Sequence, residues 1–203
     1  MTDHATAAAD ILDTLAKVFG GTHLDALRRE RPQTRDNVQA SYAALFEAGD
    51  TASVTLDERL AVAAFVALLH EDGPSSDHYL GLLRAQPAGE ALANATQAIA
   101  ERARTTGPYG AYPAGPLSIE DLAGPELALE PAERETLGER LAAALLHAHR
   151  LVFHPRDAQA QHLAALQQVG WSTAAIVTLS QIIAYLAFQI RAAHGLRVLG
   201  AAA

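Results

Sequence analysis

The chain has 203 residues, half of them hydrophobic, with a formal net charge of −8 and no cysteine. That length can bury a sizeable core in one domain. The 15 basic residues are scattered, which argues against nucleic acid as a partner, and the missing thiols exclude disulfides, thiolate metal sites and cysteine nucleophiles.

Ala, Leu, Glu, Arg and Gln are abundant and β-branched runs are scarce, so helices are expected throughout. Met1-Thr2-Asp3-His4 lacks the pattern of a signal peptide, and cytoplasm is the expected compartment. Residues 5–19 read as an amphipathic helix with Ile11, Leu12, Leu15, Val18 and Phe19 on one face, ended by Gly20-Gly21. A short helix follows over His23–Arg29. Arg28, Arg29, Arg31 and Arg35 form a small basic patch, either a solvated face or a seat for an anion. Thr34–Glu47 predicts another helix, with Val38, Tyr42 and Leu45 on one side.

Thr55 and Glu58 have capping-box spacing ahead of Leu60–Leu69, a run apolar on every side and therefore expected to be buried. Gly73-Pro74 then forces a turn, and Ser76 or Asp77 is placed to cap the helix of Tyr79, Leu80, Leu82 and Leu83. Pro87 ends that helix, and Ala88–Arg104 makes the next. Gly107–Pro116 holds three Gly, three Pro and two Tyr, which impose turns and extended backbone. The tyrosines favour an ordered, packed loop over a mobile linker. Segment 106–129 thus joins two halves, 34–105 and 130–199, of a single all-helical domain spanning 1–203.

Glu130-Pro131 opens a helix with Leu137, Leu141, Leu145, Ala148 and Val152 on its apolar stripe. A turn at His154-Pro155-Arg156-Asp157 leads to a short helix that Gly170 stops. Ser172 then caps a long helix running to about His194. No charge occurs from Thr173 to Ile190, long enough to raise a membrane span. Thr178, Ser180, Gln181, Tyr185 and Gln189 are too polar for a lone lipid-facing helix, so a bundle core or subunit interface is expected and no membrane partner. The polar stripe of Thr178, Gln181, Tyr185 and Gln189 either walls a pocket or bonds neighbouring helices or subunits.

His70, His78 and Leu82 are echoed 84 residues later by His154, His162 and Leu166. A duplicated helix–turn–helix would give this pattern, and so would chance. His70, Glu71, Asp72, Asp77 and His78 concentrate titratable groups at one turn. They read as caps and surface residues, as a divalent-ion site without a compact ligand pair, or as a place for general acid–base work by His70 or His78. His147, His149, His154 and His162 form a second cluster, expected to be partly buried and bonded. His147 and His154 share a helix face, and His149 points elsewhere.

Ala184-Tyr185 through Phe188, Arg191 and Gly195-Leu196 resemble the closing helix of the alkylhydroperoxidase D-like, or carboxymuconolactone decarboxylase-like, family. Pro155-Arg156-Asp157 to Val169-Gly170 is similar to its preceding Pro-turn and short helix. Gly107–Leu117 with Glu120-Asp121, and Leu179-Ser180-Gln181 with Phe188-Gln189, resemble a cysteine-free, peroxidase-related subgroup. The likeness runs roughly from Leu56 to Leu199. It implies an all-α duplicated bundle that forms homo-oligomers. Redox members of the family carry a Glu before a Cys-x-x-Cys and a His beyond it. In this chain the Cys positions fall near Asp72 and Ser75, the Glu near Leu60 and the His near His78. Thiol peroxidase chemistry needs a thiolate, which serine does not supply.

The resemblance therefore implies a non-catalytic or structural oligomeric partner in antioxidant or small-molecule metabolism, pairing with copies of itself or with a cysteine-bearing relative. The alternative is a cofactor-free, lactone decarboxylase-like enzyme with His70 or His78 as acid or base, and Asp72, Ser75, Tyr79, Gln181 and Tyr185 lining its pocket. Neither reading calls for a cofactor or a metal.

Overall fold

A computed structural model describes residues 10–47 and 52–202. Among these the regular elements are all helical: α1 (Ile11–Ala16), α2 (His23–Arg29), α3 (Pro32–Tyr42), α4 (Leu56–Leu69), α5 (Gly73–Arg84), α6 (Gly89–Ala103), α7 (Pro131–Phe153), α8 (Ala160–Gln168) and α9 (Thr173–Ala201). Extended backbone pairs in one isolated bridge, Gly110 with Leu122. The chain divides into two compact units, one of residues 49–187 and one of residues 1–48 with 188–203.

The larger unit is built on α4. Every residue from Leu60 to Leu69 is buried, and α5, α6 and α7 pack against it. A helix with no polar side needs such cover on all sides, and each buried Leu, Val or Phe contributes about 1.5–3 kcal/mol. Its first turn is closed by the expected capping box: Thr55 N–H donates to Glu58 Oε2 at 2.9 Å, and Glu58 N–H donates to Thr55 Oγ1 at 3.3 Å. Close packing of α6 on α5 requires Gly89, where a Cβ would lie 1.8 Å from the Leu83 carbonyl oxygen.

Arg140 ties the base of α4 to α7 and to the α8–α9 turn. Its Nε donates to Glu58 at 2.6 Å, one Nη to the Gly170 carbonyl at 2.6 Å and the other to the Ser53 carbonyl at 2.7 Å. The guanidinium lies 4.1 Å from the centre of the buried Trp171 ring, whose Nε1–H donates back to the Arg140 carbonyl. Gly170 makes the turn possible with φ +92°, and Trp171 N–H closes α8 onto the Leu166 carbonyl. Ser172 caps α9 through Ala175 N–H. Gly138, at φ 72° and ψ 155°, kinks α7 where the sequence predicts an unbroken helix.

The Gly/Pro/Tyr loop packs against the end of α7. Tyr109 N–H donates to the Phe153 carbonyl at 2.6 Å, and the buried Tyr109 ring covers Gly124 so closely that a Cβ there would clash. Arg156 stacks on Tyr112 at 4.2 Å and donates to the Gly110 and Glu120 carbonyls.

In the smaller unit, the basic patch expected near residue 30 is largely an internal ion network. Arg28, 8% exposed, donates to Asp10 at 2.6 Å and Asp13 at 2.8 Å, while Arg35 donates to the same two carboxylates at 3.3 and 2.6 Å. Periodicity could not pair these arginines with aspartates on a different helix. Helix α1 stops at Ala16, because Lys17 adopts the left-handed conformation at φ 56°; Phe19, expected on the apolar face, is exposed. Residues 5–9 of the expected helix lie outside the described residues. Helix α9, 29 residues long, is long and apolar enough to cross a membrane, and less than half of its most apolar stretch is buried.

Arg140→Ala removes three hydrogen bonds and the Trp171 stack, leaving the Ser53 and Gly170 carbonyls and Glu58 without that donor. A loss of about 2–4 kcal/mol in urea unfolding is expected. An unchanged midpoint would show that the base of α4 is held some other way.

Candidate functional site

The turn after α4 is a helix junction. The ring Nδ1–H of His70, which ends α4, donates back to the Val66 carbonyl at 2.8 Å. Glu71 takes the left-handed conformation at φ 55°, and α5 begins at once. Its cap is Asp72, not Ser76 or Asp77, because Pro74 fits the first helical turn, where no N–H is needed. Asp72 Oδ2 accepts from Ser75 N–H at 3.2 Å and from Ser75 Oγ–H at 2.6 Å, and both residues are buried. Tyr79 is fully buried. The half-buried His78 ring meets it edge-on at 4.9 Å, and burial lowers the His78 pKa from its ordinary value.

Among the sequence-predicted residues, the structure thus joins Asp72 to Ser75 and His78 to Tyr79. Gln181 is exposed and Tyr185 half-buried on α9. Neither borders the cleft described next. No three His, Asp or Glu side chains among the described residues converge as metal ligands.

Of the second histidine cluster, His147, His149 and His162 border a cleft of about 150 Å³ between α7, α8 and Glu126-Leu127. Leu127, Ala143, Leu146 and Ala165 give it apolar walls; Glu126, His147, His149, Arg150 and His162 give it polar groups. At 100° per residue, Arg150 falls between His147 and His149 on the α7 wheel. This is why His149, expected to point elsewhere, borders the same cleft as His147. His154 instead sits at the end of α7, with Nε2 2.9 Å from the Pro125 carbonyl and Nδ1 3.2 Å from Asp157.

The cleft histidines are biased towards the neutral form. Burial, then the charges of Arg150 and His162, push His147 down to about 4; its Nε2 lies 3.2 Å from Ser180 Oγ. His149 donates from Nε2 to the Ala103 carbonyl at 3.3 Å, and burial lowers its pKa. His162 Nδ1 accepts from Gln159 N–H at 3.1 Å, so the neutral ring holds its proton on Nε2. Slight desolvation and then Arg150 lower the His162 pKa too. One Arg150 Nη donates to Glu126 at 3.0 Å, while Arg150 Nε is buried with no partner. The arrangement offers unprotonated imidazoles and one fixed cation against apolar walls, with one buried, unmet donor on the same guanidinium. Sequence reading found the histidines but not Arg150, Glu126 or Leu127, because only the fold of the 106–129 loop brings the last two to α7.

Comparison with protein-family models, with curated proteins and with solved structures returned no match.

The depressed His147 pKa predicts acid sensitivity. The unfolded ring binds a proton below about pH 6.5, but the folded ring does so only near 4. Stability therefore rises with pH across that window and is lost as pH falls through it, by up to about 3 kcal/mol at the acid end. In His147→Gln, which retains a partner for Ser180, the dependence of the urea midpoint on pH should flatten. A slope identical to that of the parent would contradict the assignment.

Proposed function

We propose that the chain is a thiol-free protein of alkylhydroperoxidase D-like, carboxymuconolactone decarboxylase-like architecture, acting as a non-catalytic subunit of a homo-oligomer. The observation that carries this reading is the Asp72–Ser75 pair. Where the resemblance places two redox thiols, a buried hydroxyl donates to a buried helix-capping carboxylate. Such a hydroxyl neither attacks a peroxide bond nor resolves a sulfenic acid. Leu60, where the resemblance places the family's acid, is packed in the core.

The duplicated architecture is supported by the helix boundaries. Helices α4 and α7 end at Leu69 and Phe153, each just before a histidine, and α5 and α8 end at Arg84 and Gln168. Helices α6 and α9 begin at Gly89 and Thr173. All three pairs are 84 residues apart. Buried positions in the later helices recur one residue earlier: Leu83 with Leu166, Ala93 with Ile176, Thr96 with Leu179, Ile99 with Ile182, Ala103 with Leu186. The slip of one lies within the tolerance of helix ends.

Assembly is supported by α9. Its exposed residues Ala174, Val177, Gln181 and Ala184 follow one face, within a stretch that carries no charge from Thr173 to Ile190. Depletion of charge marks the centre of subunit interfaces. Thr178, Ser180, Gln181 and Tyr185 favour a protein surface over lipid.

Native mass spectrometry and light scattering of the full chain should give a multiple of the 21.4 kDa protomer. The double variant Val177→Glu, Ala184→Glu should dissociate while keeping its helical circular dichroism. A parent chain that remains a monomer at micromolar concentration would overturn the reading.

A further inference from the structure

We propose that the cleft between α7, α8 and Glu126-Leu127 binds a small carboxylate with an apolar body, seated on Arg150 and His162. This site is separate from the α9 face and does not depend on assembly.

Three features select this class of ligand. The first is the unmet donor. Arg150 borders the cleft, and its Nε is buried without a hydrogen-bond partner. A buried, unsatisfied donor is costly, and a charged one more so. Its remaining ion pair runs from Nη to Glu126, whose side chain is 60% exposed at the rim. An exposed pair of this kind contributes little and exchanges readily. A planar carboxylate matches the guanidinium fork, and in displacing Glu126 it would free the side chain to turn Nε–H, now buried, onto the ligand.

The second feature is the orientation of the neighbouring ring. His162 Nδ1 is occupied by Gln159 N–H, which leaves Nε2–H as the donor of the neutral ring. An acceptor held between Arg150 and His162 would therefore meet two donors without any proton being taken up. The third is size and wall chemistry. A cavity of about 150 Å³ suits a body the size of benzene. Leu127, Leu146 and Ala165 provide apolar contact for it. With one cation present and partly neutralised by Glu126, the site fits a monoanion better than a phosphate dianion.

The test is a titration of the full-length protein with sodium benzoate at constant ionic strength, following the histidine ring resonances by NMR, with benzamide as the neutral control of equal shape. Saturable shifts confined to His147, His149 and His162 are expected, with His70 and His78 unmoved. Binding should be weaker by about tenfold or more for benzamide and for Arg150→Met, which loses a charge-assisted bond. Should Arg150→Met fail to fold, the exposed Glu126→Gln keeps the test decisive: removing the competing carboxylate should tighten benzoate binding several-fold. The proposal is overturned if benzoate gives no saturable shift, if benzamide binds equally well, or if Glu126→Gln leaves the affinity unchanged or weaker.

Discussion

The larger unit depends on one constraint: α4 is a helix without a polar side. A segment of this kind is stable only when surrounded, and its unpaired backbone groups can be met only at its ends. Cover comes from α5, α6 and α7. At the N-terminal end, Glu58 serves both the capping box and Arg140, whose guanidinium also holds two carbonyls and stacks on Trp171. At the other end the chain leaves through His70 and re-enters a helix on Asp72. The positions that look most chemical in the sequence therefore lie where the core helix has to be closed off.

This placement favours the proposed structural turn over a redox centre. A redox dithiol must expose a thiolate to substrate. Asp72 and Ser75 are instead buried against each other, and the carboxylate accepts from both the N–H and the hydroxyl of Ser75. The groups with unspent capacity lie around the cleft between α7 and α8, where Arg150 Nε has no partner and three imidazoles are biased towards neutrality. In this molecule the titratable turn stabilises, and the less conspicuous cleft keeps groups available for a ligand.

Much of the helical framework was legible because its signals are local. The Thr55–Glu58 capping box, the Gly170 stop, the Ser172 cap and the Pro131 start each depend on a few adjacent residues, and each holds in the structure. The all-round apolar run of α4 announced its burial in the same way. What failed or stayed hidden depends on distant partners. Arg28 and Arg35 read as a surface patch until α1 brings Asp10 and Asp13 to them. The cap of α5 is not legible locally, because Pro74 can equally precede a helix or sit in its first turn. A helical wheel turns His149 away from His147 and does not show that Glu126-Leu127 lies against Arg150 between them.

The most direct test of the central claim, that the turn after α4 is structural and carries no peroxidase chemistry, is peroxide consumption by the purified protein with a dihydrolipoyl-type dithiol as reductant. A rate equal to that without protein, unchanged in His78→Ala, is expected. Turnover above that rate, abolished in His78→Ala, would contradict the claim and place a non-thiol reaction at the turn.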